Sequence, residues 1–125
     1  MKILLLAGLA GFVGTLARYG CTRLFNNLLP GFPWGTLAVN VAGAFIAGFC
    51  FILCRCKFQN YEEYLPILFV GFLGAFTTFS TFALESVRLI TEAQFGKCIV
   101  NILMHNLFGF SAAGLGMYLA KVLFK

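Results

Sequence analysis

A chain of 125 residues that is 61% apolar and 10% charged, with a mean hydropathy of +0.93, does not suit a soluble domain, which carries about 25% charged residues. The net charge of +5 would suggest nucleic acid in a soluble protein, but here the basic residues sit at the ends of apolar runs, where they anchor helices to lipid headgroups. The composition therefore excludes a nucleic-acid partner and predicts an all-α transmembrane domain over residues 1–125, in which four spans of about 20 residues each use most of the chain.

The first span is predicted from about Ile3 to Phe25. Its start, Met1-Lys2-Ile3-Leu4-Leu5-Leu6-Ala7, has the look of a secretory signal. The apolar run does not stop at a cleavage site, however, and continues through Gly8, Gly11 and Gly14 to Arg18 and Tyr19, so it reads as a genuine span. Pro30 and Pro33 mark a turn, and Trp34 stands where an interfacial aromatic belongs. The second span covers about Gly35 to Leu53, and Arg55 to Glu63 form a polar connection. The third covers about Tyr64 to Ile90 and the fourth about Cys98 to Leu123, joined by a short loop over Thr91 to Lys97. The five cysteines form no C-x-x-C pair and read as small buried hydrophobes.

With four spans, Lys2, Arg55, Lys57, Lys121 and Lys125 fall on one side of the membrane, and Arg18, Arg23, Arg88 and Lys97 on the other. Five against four is almost no excess, and an excess is what selects an orientation. Insertion both ways round is the expected result. Gly8, Gly11, Gly14, Gly43, Ala47 and Gly48 let helix backbones approach closely in lipid. Four such helices pack solid, so a transport path favours an oligomer.

The third span holds the most unusual segment, Gly71-Phe72-Leu73-Gly74-Ala75-Phe76-Thr77-Thr78-Phe79-Ser80-Thr81-Phe82. Gly74 and the β-branched Thr77 and Thr78 weaken a helix at mid-membrane. A break there frees carbonyls, which must bond another group, line a watery cavity or hold a cation. The blander alternative is that the hydroxyls bond back to their own helix. Phe79 and Phe82 share one helical face, either as core or as ring edges that stabilise a small anion. Asn40, within the second span, is either interhelical glue or an anion donor. Arg18 either snorkels to the surface or lines a pore vestibule. Glu85 either pairs with a cation or caps the span. His105 and Asn106 lie in the fourth span, where a lone His is more often an interhelical contact than a metal ligand. There is no P-loop, dinucleotide fingerprint or triad, so no enzyme is expected.

Taken together, Gly11-x-x-Gly14 leading to Arg18-Tyr19, the run Gly35-Thr36-Leu37-x-Val39-Asn40, and Gly71-Phe72-Leu73-Gly74 leading to Thr77-Thr78-Phe79-Ser80-Thr81-Phe82-x-x-Glu85 resemble the Fluc (CrcB) family of fluoride channels. The resemblance covers nearly the whole chain. It implies an antiparallel, dual-topology homodimer in the bacterial inner membrane, with two fluoride pores that release the ion passively from the cytoplasm. It implies that Phe79 and Phe82 contact fluoride by their ring edges, and that Asn40, Ser80 and Thr81 donate hydrogen bonds. It further implies that Arg18 stands near the vestibule, and that Gly74 and Thr77 offer backbone carbonyls to a structural Na+ at the dimer interface. Ala75 and Phe76 stand where the motif varies, and in the fourth span Asn101 and His105 stand near places where the family often has Tyr and Ser. The competing readings are a small multidrug-type cation exporter, which needs an acid that the first span lacks, and a non-transporting assembly protein.

Overall fold

The computed structural model describes residues 1–59 and 61–124; Asn60, in the expected polar connection, and Lys125, in the charge tally, lie outside the described residues. Every regular element among them is helical. Three spans are unbroken: α1 over Lys2–Leu28, α2 over Trp34–Lys57 and α5 over Phe95–Leu123. The third is divided. A short 3₁₀ turn over Tyr61–Glu63 precedes α3, which is π-wound over Pro66–Leu73 and ends in one α-helical turn over Gly74–Phe76. Thr77 and Thr78 are extended, and α4 resumes over Phe79–Thr91. Four segments are thus long and apolar enough to cross a bilayer, and the third is interrupted. The protein is a multi-pass membrane protein.

Helix lengths follow from the bilayer. At about 1.5 Å per residue, each unbroken helix exceeds the hydrocarbon thickness, so its ends reach the headgroups. Because α1 continues to Leu28, Arg18 lies about ten residues, or about 15 Å, inside the nearer helix end. That places it deeper than the charge tally assumes.

Packing comes in two layers, with α2 against α5 and α1 against α3. Small residues make both crossings possible. In α2–α5, a Cβ on Gly48 would strike the Ala113 carbonyl, and one on Gly116 would strike the carbonyl of Phe45. Gly48 is legible in the sequence as part of a small-residue run, whereas its partner Gly116 is not. Overpacking of this kind costs about 1–3 kcal/mol. Gly48→Val is therefore expected to lower the thermal midpoint for loss of the folded peak in detergent gel filtration, while Gly20→Val, which meets open space, leaves it in place.

Candidate functional site

The break has a local cause. Thr77 still donates its N–H to the Leu73 carbonyl at 2.9 Å, and its hydroxyl adds a second bond to the same oxygen at 2.8 Å. Thr78 then leaves the helix altogether. Its hydroxyl accepts the Thr81 N–H at 3.2 Å and caps α4, as Ser and Thr do at helix starts. It also donates to the Thr81 hydroxyl at 2.9 Å and lies 3.3 Å from that of Ser80. The back-bonding expected of such hydroxyls is real for Thr77, and at Thr78 the hydroxyl starts the second half-helix.

Asn40 closes the gap from α2. Its Oδ1 accepts the Thr78 N–H at 2.8 Å, and its Nδ2 donates to the Thr78 carbonyl at 3.1 Å. One side-chain amide thereby satisfies the N–H of an extended residue that lipid cannot solvate and adds a second donor to its carbonyl, which α4 already uses as its cap. The break leaves four carbonyls, those of Gly74, Ala75, Phe76 and Thr77, without their i+4 donors. Thr78 N–H would ordinarily bond Gly74, and Thr81 N–H would bond Thr77. Both donors are diverted, to Asn40 and to the Thr78 hydroxyl. Oxygen donors of this kind suit a hard cation such as Na+, and Gly74 and Thr77 are the two among them that the family resemblance implies for that role.

A cavity of about 450 Å³ opens beside the break, with Asn40, Gly74, Thr77, Phe79, Phe82 and His105 in its wall. The Phe79 and Phe82 rings are tilted at 55° with centroids 5.7 Å apart, and Phe82 lies 4.3 Å from the His105 ring. Phe79 is 80% exposed, so this side of the cavity is open. A second cavity, of about 210 Å³, holds Arg18 with Thr22, Thr36, Thr78 and Thr81. Thr78 borders both, so the break is the wall between them. The expected site is therefore split. Asn40, Phe79, Phe82 and His105 meet on one side, Arg18 and Thr81 on the other, and Ser80 lines neither.

Residues 5–117 match the family described as CrcB-like protein, Camphor Resistance (CrcB). The chain belongs to the CrcB family. A protein of Desulforapulum autotrophicum named fluoride-specific ion channel FluC is 42% identical over 118 residues, covering 92% of this chain and 93% of that protein. Proteins with the same name from Legionella pneumophila (strain Paris) and Nitratidesulfovibrio vulgaris are 41% identical over 94% of this chain and 88% of theirs, and 44% identical over 75% and 77%.

In this CrcB-family chain a buried polar network runs from motif residues into α5. The Thr36 hydroxyl donates to Glu85 Oε1 at 2.7 Å. Glu85 therefore meets a hydroxyl where the sequence offered a cation or a cap. Asn101 Nδ2 donates to Ser86 Oγ at 3.0 Å, and Ser86 donates to the Phe82 carbonyl at 2.8 Å. His105 Nδ1 lies 3.0 Å from the Asn101 carbonyl. Thr36 and Asn101 are wholly buried. Sequence reasoning assigns no role of their own to Thr36 and Ser86, and gives Thr78 only that of weakening the helix. The signal that could have found them is polar side chains recurring in mid-span on different helices, each of which needs a partner in lipid. Among the described residues no group of three His, Cys, Asp or Glu is placed to hold a metal, so backbone oxygens are the donors a cation would meet here.

Proposed function

We propose that the protein is a fluoride channel that lets the ion leave the cytoplasm down its gradient. The observation that carries this reading is the Asn40-bridged break beside the Phe79–Phe82 pair. Fluoride is small and strongly hydrated, so a path must replace its water with fixed donors and dipoles. Asn40 Nδ2 carries two hydrogens and spends one on Thr78; the other is available to an anion. Ring edges carry positive charge, and Phe79 and Phe82 supply two of them at the same cavity. Arg18 and the Thr81 hydroxyl furnish the vestibule on the far side of the break, and Ser80 extends the polar track from Thr78.

Two copies inserted in opposite senses complete the path. The exposed Phe79 ring supports this, since a partner covers it and encloses two equivalent pores. The near-even charge count supports the inversion. The Gly74 and Thr77 carbonyls of both copies would hold a structural Na+ between them, which neutralises oxygens that the break leaves without donors.

Expression in cells lacking their own fluoride exporter tests the function. The expected outcome is growth at fluoride concentrations that arrest the parent, with no added tolerance to lipophilic cations. Tolerance to the cations without tolerance to fluoride would favour the exporter reading, against which the acid-free α1 already counts.

A further inference from the structure

We propose that His105 makes the anion path proton-dependent, conducting better when the imidazole is charged. This rests on the fluoride-channel reading and concerns its regulation. The Asn101 carbonyl can only accept, so the 3.0 Å contact requires a hydrogen on His105 Nδ1. In the neutral ring that hydrogen is the only one. Nε2 is then a bare lone pair; it is buried and makes no hydrogen bond among the described residues, while the Thr36 backbone lies against the ring. The ring lines the mid-membrane cavity and packs 4.3 Å from Phe82. A neutral His105 therefore brings no charge to the wall of the cavity that holds Asn40, Phe79 and Phe82. Proton uptake from the bulk solution adds a hydrogen at Nε2 and a full positive charge beside the Phe82 ring, where low dielectric strengthens its attraction for an anion.

The neighbours leave His105 as the group that changes. From α2, Thr36 and Asn40 are uncharged, and from its own helix so is Asn101. From α4, Glu85 is the one nearby titratable group among the described residues, and it is joined to Thr36 at 2.7 Å. Arg88 of α4 is engaged with Glu92. Lys97 of α5 reaches the Gly31 carbonyl, and Arg55, Lys57 and Lys121 lie in the last turns of their helices. Arg18 of α1 borders the other cavity.

His105 is the single histidine of the chain, which makes the test direct. Fluoride efflux from liposomes is measured at equal internal and external pH, with the leak of protein-free vesicles subtracted. Flux is expected to fall at least about fivefold between about pH 5.5 and 8, across the imidazole range. The one ¹⁵N-histidine resonance in the same liposomes should titrate with the same midpoint and show the Nδ1–H tautomer at high pH. H105Q should be flat across the range, and E85Q should keep the slope. A flat profile in the unsubstituted protein, a slope surviving in H105Q, a slope lost in E85Q, or midpoints more than about one pH unit apart would each overturn the proposal. Flux that is absent at every pH sinks the channel reading itself, whereas pH-flat flux sinks only this inference.

Discussion

Phe82→Ile is expected to lower fluoride efflux from proteoliposomes about two- to tenfold. The ring packs on both Phe79 and His105, so it is held in place at the cavity wall. Isoleucine fills much of the same volume but has no quadrupole. The ring quadrupole is worth about 0.5–1.5 kcal/mol in aromatic pairs; the same scale at an anion, with about 1.4 kcal/mol per factor of ten in rate, gives about two- to tenfold. Phe79→Ile should act in the same direction. Because Phe79 is exposed in one copy, its substitution removes ring edges without opening a hole in the folded chain. Both variants should elute as the unsubstituted protein does in gel filtration. Undiminished flux in both would remove the rings from the path.

Asn40→Leu should be the more damaging change, since it strikes fold and path together. It strands the Thr78 N–H and removes one of the two donors to the Thr78 carbonyl, whose other donor is the first turn of α4. Each unpaired buried group costs about 1–3 kcal/mol, a large part of the stability of a small protein. Loss of the folded peak at moderate temperature, together with loss of flux, is the expected result. Asn40→Asp separates the two roles. The carboxylate still accepts the Thr78 N–H but cannot donate, and it places a negative charge where an anion must pass. A folded protein with flux near the protein-free background is predicted; normal conduction by N40D would show that the amide is structural only.

These effects explain what was legible in the sequence. Span count follows from apolar run length, and the break follows from Gly74, Thr77 and Thr78 in one segment. The interruption itself falls at Thr77–Thr78 and not at Gly74, because the hydroxyls supply the replacement bonds and glycine has none to give. Asn40 was an open choice between glue and donor. It serves as glue across the break and keeps one N–H to spare, which no spacing argument reveals. The π-wound start of the third span was not legible, since Pro66-Ile67-Leu68-Phe69-Val70 has no residue type that distinguishes i→i+5 from i→i+4 bonding. Nor was the Thr36–Glu85 pair, whose members are 49 residues apart. The depth of Arg18 escapes the sequence because α1 runs on through Asn26 and Asn27 to Leu28, past the predicted end at Phe25.

The measurement that bears most directly on the central claim is ion selectivity in liposomes holding only the purified protein. Fluoride should leave down its gradient at a rate proportional to the protein added, while an equal chloride gradient is held. Chloride flux equal to that of fluoride, or neither ion moving at any protein density, would contradict a dehydrating path built on the broken third span.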